Sequence, residues 1–156
     1  MLALMASATV NANELQLVGE TRLKFMFWSV YDARLYTDNG QYEEGKRPLR
    51  LSLQYLLDIE SEALVSRTRD EWDTQSLSHP RQEQWLQQLA GMWPDITEKD
   101  EITLHVDADN LSTFYFNGEV LGTIEDPEFG QHFLAIWLSP NTTRPDMRLA
   151  LLGKDD

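Results

Sequence analysis

Arg22, Trp28, Tyr31, Arg34 and Tyr55 are the side chains of this sequence best suited to hold an apolar molecule with a polar end. An arginine guanidinium presents paired donors that fit a carboxylate bidentately, and a tyrosine hydroxyl beside it completes such a site. Trp28 adds a flat apolar face on which a ring or chain can stack. The ligand expected from this set is a fatty acid or another apolar carboxylate. The same residues have a structural alternative, in which Arg34 pairs with Asp32 or Asp58 at a strand end and the tyrosines are core residues with wet hydroxyls.

Other chemistries lack their parts. The chain has no cysteine, which excludes disulfides, thiolate metal sites and a cysteine nucleophile. No G-x-S-x-G elbow, P-loop or G-x-G-x-x-G run occurs. His79, His105 and His132 share no ligand spacing, and Asp107-Ala108-Asp109-Asn110 starts like a calcium loop without its later glycine and glutamate, so it reads as a turn. Neither a metal nor a cofactor is expected.

The elements that must position the candidate residues follow from periodicity. Leu15 to Val18 reads as a short strand stopped by Gly19. Leu23 to Tyr36 then reads as one long strand, aromatic and β-branched, with Phe25, Phe27, Ser29, Tyr31, Ala33 and Leu35 on one face. Its first half, Phe25 to Val30, is apolar on both faces, so helices or a ligand are expected to cover it on both sides. Leu49, Leu51, Leu53, Tyr55, Leu57 and Ile59 alternate with mostly polar residues, as in a half-buried strand.

The period then lengthens. Leu64, Val65, Thr68 and Trp72 mark one face of a helix whose other face carries Arg67, Arg69, Asp70 and Glu71. A second helix from about Pro80 buries Trp85, Leu86, Leu89 and Trp93 and stops at Pro94. Strands resume at Glu101, and Asn117-Gly118 predicts a type I′ hairpin. Asp126-Pro127 predicts the capped start of a helix bearing Phe129, Phe133, Ile136 and Trp137, closed by Pro140. Thr143-Arg144-Pro145-Asp146 predicts a capping box for a last helix ending at Gly153. The order is α+β, with about five or six antiparallel strands and about four helices, in a single domain spanning 13–156.

Three blocks of this sequence resemble the bacterial chalcone isomerase-like proteins: Val30-Tyr31-Asp32-Ala33 with Leu35-Tyr36; Leu51, Leu53 and Tyr55 leading into Leu64-Val65; and Phe116-Asn117-Gly118 through Asp126-Pro127-Glu128-Phe129 and Ala135 to Pro140, ending at Leu151-Leu152-Gly153. The resemblance implies an open-faced β-sandwich, a sheet with helices layered on one side and a pocket between, shared with plant isomerases and plant fatty-acid-binding relatives. The plant enzymes cyclise chalcones with a strand threonine, an arginine and a tyrosine–water network. Matching Val30-Tyr31 to the plant strand puts Met26 in the threonine's place and Arg22 in the arginine's. A methionine cannot hydrogen-bond an enolate, so the resemblance implies a non-catalytic, ligand-binding domain. The alternatives are an intramolecular lyase or isomerase of the chalcone isomerase type and an envelope protein-interaction domain.

A net charge of −13 argues against nucleic acid and against an anionic membrane surface. The chain has no apolar run long enough to span a membrane. MLALMASATVNA is small, apolar and uncharged, and Val10-Asn11-Ala12 fits a signal-peptidase site, so residues 1–12 are expected to be a signal-peptide remnant and the protein periplasmic or secreted.

Overall fold

The computed structural model describes residues 14–154, so the expected signal-peptide remnant lies outside the described residues. Six strands run β1 Gln16–Phe25, β2 Trp28–Thr37, β3 Leu49–Tyr55, β4 Glu101–Val106, β5 Ser112–Phe116 and β6 Glu119–Ile124. They pair antiparallel in sequence order, a meander with no crossover. Helices α1 Ser61–Thr74 and α2 Gln82–Met92 are inserted between β3 and β4, and α3 Phe129–Leu138 and α4 Pro145–Leu151 follow β6. The expected α+β class and open-faced architecture are present.

One face of the sheet makes the core. Alternation sends Tyr31, Ala33 and Leu35 of β2, Leu49, Leu51, Leu53 and Tyr55 of β3, Ile102, Leu104 and Val106 of β4 and Phe114 of β5 inward. The helices bury matching stripes, Leu64, Thr68 and Trp72 on α1 and Phe129, Phe133 and Ile136 on α3. Trp72 Nε1 donates to the His132 carbonyl at 3.1 Å and Gln75 Nε2 to the Ile136 carbonyl at 3.0 Å, which fixes α1 against α3. Gly19 permits a close approach of α4: a Cβ there would lie 2.1 Å from the Ala150 carbonyl oxygen. Gly19 therefore does not end the first strand. It sits inside β1, where the missing side chain admits the helix backbone.

The opposite face pairs its charges across strands. Arg22 stands directly opposite Asp32 and Glu20 opposite Arg34; Arg22 Nε donates to Asp32 Oδ1 at 2.6 Å and Arg34 Nε to Glu20 Oε1 at 3.1 Å. Further along, Ser52 Oγ donates to Glu101 Oε2 at 2.6 Å.

The expected long strand Leu23–Tyr36 is instead two strands. β1 ends at Phe25, the chain reverses at Met26-Phe27, and β2 begins at Trp28, which pairs with Phe25. Met26 supplies the turn with a positive φ of 57°. The segment expected to be shielded on both sides is the tip of a hairpin, with Phe25, Met26, Phe27 and Trp28 exposed by 55%, 77%, 97% and 66%. Both arms read as one strand because Met and Phe carry none of the usual turn chemistry.

The capping predictions divide. Asn117-Gly118 forms its hairpin turn with both φ values positive, 50° and 87°. The Asp126-Pro127 cap forms one turn early: Asp126 Oδ1 accepts from the Glu128 N–H at 3.0 Å in the turn ahead of α3, which begins at Phe129 after Glu128 with no side-chain cap of its own. The capping box at Thr143–Asp146 does not form: α4 starts at Pro145 with no side-chain cap, and Thr142 Oγ1, not Thr143, accepts from the Arg144 N–H at 3.3 Å.

Candidate functional site

Between the inner face of the sheet and the helical layer lies a cavity of about 450 Å³, within the size range of small-molecule sites. Its floor is the apolar alternation of β3 to β5, including Leu51, Leu53, Leu104 and Phe114, and its roof is α1 with Phe133, Ile136 and Trp137 of α3. Buried and apolar walls make it a place where a hydrocarbon chain gains by leaving water.

Polar groups enter this lining at few points. Tyr31 and Tyr55 project from neighbouring strands with rings edge to face at 5.6 Å. Trp137 Nε1 donates to the Tyr31 hydroxyl at 2.9 Å, which leaves the phenolic hydrogen free to point elsewhere. Burial pushes the Tyr31 phenol up to about 12, opposed by the Trp137 hydrogen bond and by Arg144 and Arg67. Burial pushes the Tyr55 phenol up as well, with the neighbouring Tyr31 adding to the effect. Both therefore stay protonated at neutral pH, able to donate a hydrogen bond but not to act as bases. The Trp93 Nε1–H, on a residue lining the same cavity, has no partner among the described residues.

The rim is charged. Arg67 and Glu71 of α1 face the opening and pair at 3.3 Å. Arg144, in the turn before α4, also lines the cavity, and its side chain has no hydrogen-bond or ion-pair partner among the described residues. The arrangement offers apolar walls, neutral hydroxyl and indole donors within, and a half-buried arginine at the edge. It suits an amphiphile with an acceptor-rich head.

Of the candidates read from the sequence, the structure brings Tyr31 and Tyr55 together in this cavity. Arg22 and Arg34 lie on the opposite face of the sheet, engaged with Asp32 and Glu20. For Arg22, the Asp32 hydrogen bond raises the guanidinium and in turn lowers the carboxyl of Asp32. Trp28 stands at the hairpin tip, and Met26, the position matched to the plant threonine, is exposed beside it. Sequence reasoning missed Arg67 and Arg144. Arg67 lies three residues after buried Leu64, at the flank of the buried stripe, and that spacing is the signal that was available. Nothing local marks Arg144.

A second polar cluster ties the helices together. Arg81 bridges Asp126 and Glu128, Trp85 Nε1 donates to Asp126 Oδ2 at 3.1 Å, and His79 pairs with Glu128 at 2.8 Å. The Arg81 guanidinium holds the Asp126 carboxyl down to about 2. His79 and His132 meet there at 5.6 Å among Trp72 and Trp85, while His105 is apart on the outer face. Every charge in this cluster has a partner within it, which marks it as a structural tie between the β6–α3 turn and α2.

The sequence matches a family described as chalcone isomerase-like over residues 2–153. A Haemophilus influenzae protein described only as uncharacterized is 31% identical over 139 residues, covering 89% of this chain and 68% of that protein. Among solved structures, a fatty-acid binding protein of Arabidopsis thaliana superposes with a TM-score of 0.70 at 12% identity, covering 90% of this chain and 88% of the plant one. At that identity the plant structure speaks for the fold alone.

Proposed function

This chain belongs to the chalcone isomerase-like family, and from that premise we propose that it is a non-catalytic domain binding a fatty acid or another apolar carboxylate between its sheet and its helices. The observation that carries the proposal is the cavity of about 450 Å³ walled by apolar side chains, with Arg144 unpaired among the described residues at its rim. The hydrocarbon lies along Leu53, Leu104 and Phe133. The carboxylate meets Arg144, with Arg67 close by. The plant neighbour, a fatty-acid binding protein of the same fold, supports the same ligand class.

Cyclisation is the weaker reading, because Arg22 and Met26 both stand outside the cavity. Tyr31 and Tyr55 hold their protons too firmly to remove one from a substrate. The proposal also carries export, motivated by Val10-Asn11-Ala12. N-terminal sequencing of the protein recovered from the envelope fraction is expected to begin at Asn13; an unprocessed Met1 rejects that part alone.

The ligand test is titration of delipidated protein with palmitate, followed by tryptophan fluorescence and native mass spectrometry. A one-to-one complex is expected, weakened about tenfold in Arg144→Ala by loss of a charge-assisted hydrogen bond. Hexadecanol, which has the chain without the carboxylate, is expected to bind wild type and variant equally. Absence of any complex with either compound overturns the ligand reading; equal palmitate affinity in Arg144→Ala overturns the head-group assignment.

A further inference from the structure

We propose that the β1–β2 hairpin tip, Phe25-Met26-Phe27-Trp28, inserts into the interfacial layer of a lipid bilayer and sets the mouth of the cavity against it. This deepens the ligand reading above and rests on it.

The tip is costly twice over. It exposes four consecutive large apolar side chains, up to 97% at Phe27, although an isolated exposed apolar residue is the ordinary case and a contiguous patch is not. It also holds Met26 at a φ of 57°, a left-handed conformation that disfavours any residue with a Cβ. The same sheet shows the inexpensive solution at the β5–β6 hairpin, where Asn117-Gly118 makes a polar turn. A site that breaks both solubility and turn rules points to a role outside folding.

Charge and shape identify the occupant. The chain carries 26 acidic residues against 13 basic ones, yet Thr21 to Tyr31 contains no carboxylate; of its two cations Arg22 is tied to Asp32, and exposed Lys24 is in no ion pair among the described residues. The tip itself therefore meets lipid phosphates with a cation and no carboxylate, Lys24 reaching the headgroups while its neighbours sit deeper, and the carboxylates lining the cavity, Asp70 and Glu71, share that lining with Arg67 and Arg144. The tip is convex and two residues wide, so a protein partner would need a fitted cleft, whereas a bilayer accepts an apolar projection of any outline. Phe and Trp at such a tip suit the boundary between acyl chains and headgroups, and Trp is enriched there.

The tip is also continuous with the cavity. Phe25 and Val30 belong to the hairpin and line the cavity at the same time. Docking at the tip therefore presents the opening to the layer that holds fatty acids, and an amphiphile can pass along Phe25 with little of its chain exposed to water.

The test is flotation of the purified protein with phosphatidylcholine vesicles, alongside palmitate binding in vesicle-free solution. Wild type is expected to float, and Phe27→Glu to lose vesicle affinity by at least about tenfold while its palmitate affinity in solution stays unchanged. Brominated phosphatidylcholine is expected to quench wild-type fluorescence by a component missing from Trp28→Phe. The proposal is overturned if wild type stays with the aqueous fraction, if Phe27→Glu floats equally well, or if sedimentation shows a dimer that Phe27→Glu dissolves, which would assign the tip to a second copy of the chain. Palmitate binding without flotation overturns this inference and leaves the ligand reading standing; flotation without palmitate binding overturns the ligand reading and, with it, the claim that docking serves the cavity, leaving only membrane contact at the tip.

Discussion

The two faces of this sheet use the same strands for opposite ends. On the inner face, side chains are stripped of water and stabilise one another by contact, leaving a cavity where the helical layer stands off. On the outer face, charges stay wet and pair across neighbouring strands, Arg22 with Asp32 and Arg34 with Glu20. Tyr31 and Asp32 are adjacent in sequence and belong to these two regimes: burial raises the tyrosine, and an arginine lowers the aspartate. The cavity belongs to the face that lacks arginines, and among the described residues cations enter its lining only where α1 and the turn before α4 reach the rim. A charged residue on a strand is thus a poor guide to a site until its face is known.

The largest effect that tests this contrast is on the inner face. Phe114 is almost wholly buried and packs edge to face on Trp93, Phe129 and Phe133 at ring separations of 5.4, 6.1 and 5.6 Å. Phe114→Ala is expected to lower unfolding free energy by about 3–5 kcal/mol, since truncation removes transfer energy and leaves a void. The void adjoins the cavity, so the variant should also take longer or bulkier chains than wild type. Urea denaturation with a palmitate-to-docosanoate series checks both; a loss below about 1 kcal/mol would show the inner face to be as tolerant as the outer.

Much of this was legible in the chain, and the failures have identifiable causes. The period-2 run Leu49 to Tyr55 and the helical spacing of Leu64, Thr68 and Trp72 place the walls of the cavity correctly because each element has one buried face. Arg34 could have been separated from Tyr31 by parity alone, as the two are an odd number of residues apart on one strand. Arg22 could not, because it falls between the strand read as ending at Gly19 and the one read as starting at Leu23, and only the reversal at Met26-Phe27 joins it to Leu23 in β1. The Asn117-Gly118 turn announces itself; Met26-Phe27 is silent because its residues were not chosen for turning. Arg144 becomes a rim residue only through the meeting of α4 with the sheet, which no local spacing encodes.

A smaller effect tests whether ionisable groups in the helical layer behave as desolvated. His132 lies against Trp72 at 4.8 Å and pairs with Gln82 at 2.8 Å. Burial first, and His79 second, lower its imidazole to about 4. Below the unfolded value near 6.5 the unfolded chain binds a proton that the folded one resists. Stability is therefore expected to fall as pH drops from about 6.5 towards about 4. Urea midpoints collected across that range should show this slope in wild type and a shallower one in His132→Gln. Parallel profiles for the two proteins would mean that the folded layer admits the proton freely.

The smallest effect belongs to the outer face. Arg22 and Asp32 form a two-point pair, Nε to Oδ1 at 2.6 Å and the terminal nitrogen to Oδ2 at 3.0 Å. Good geometry does not make such a pair strong when water can solvate both partners after separation. Asp32→Asn keeps the shape and removes the charge, so the thermal midpoint is expected to drop by about 2 °C or less, and 1 M salt should erase most of the difference. Palmitate affinity should not move, because the pair is on the far side of the sheet from the cavity. If Asp32→Asn instead weakens palmitate binding, the two faces are coupled through β2, and Arg22 regains the part that its residue type first suggested.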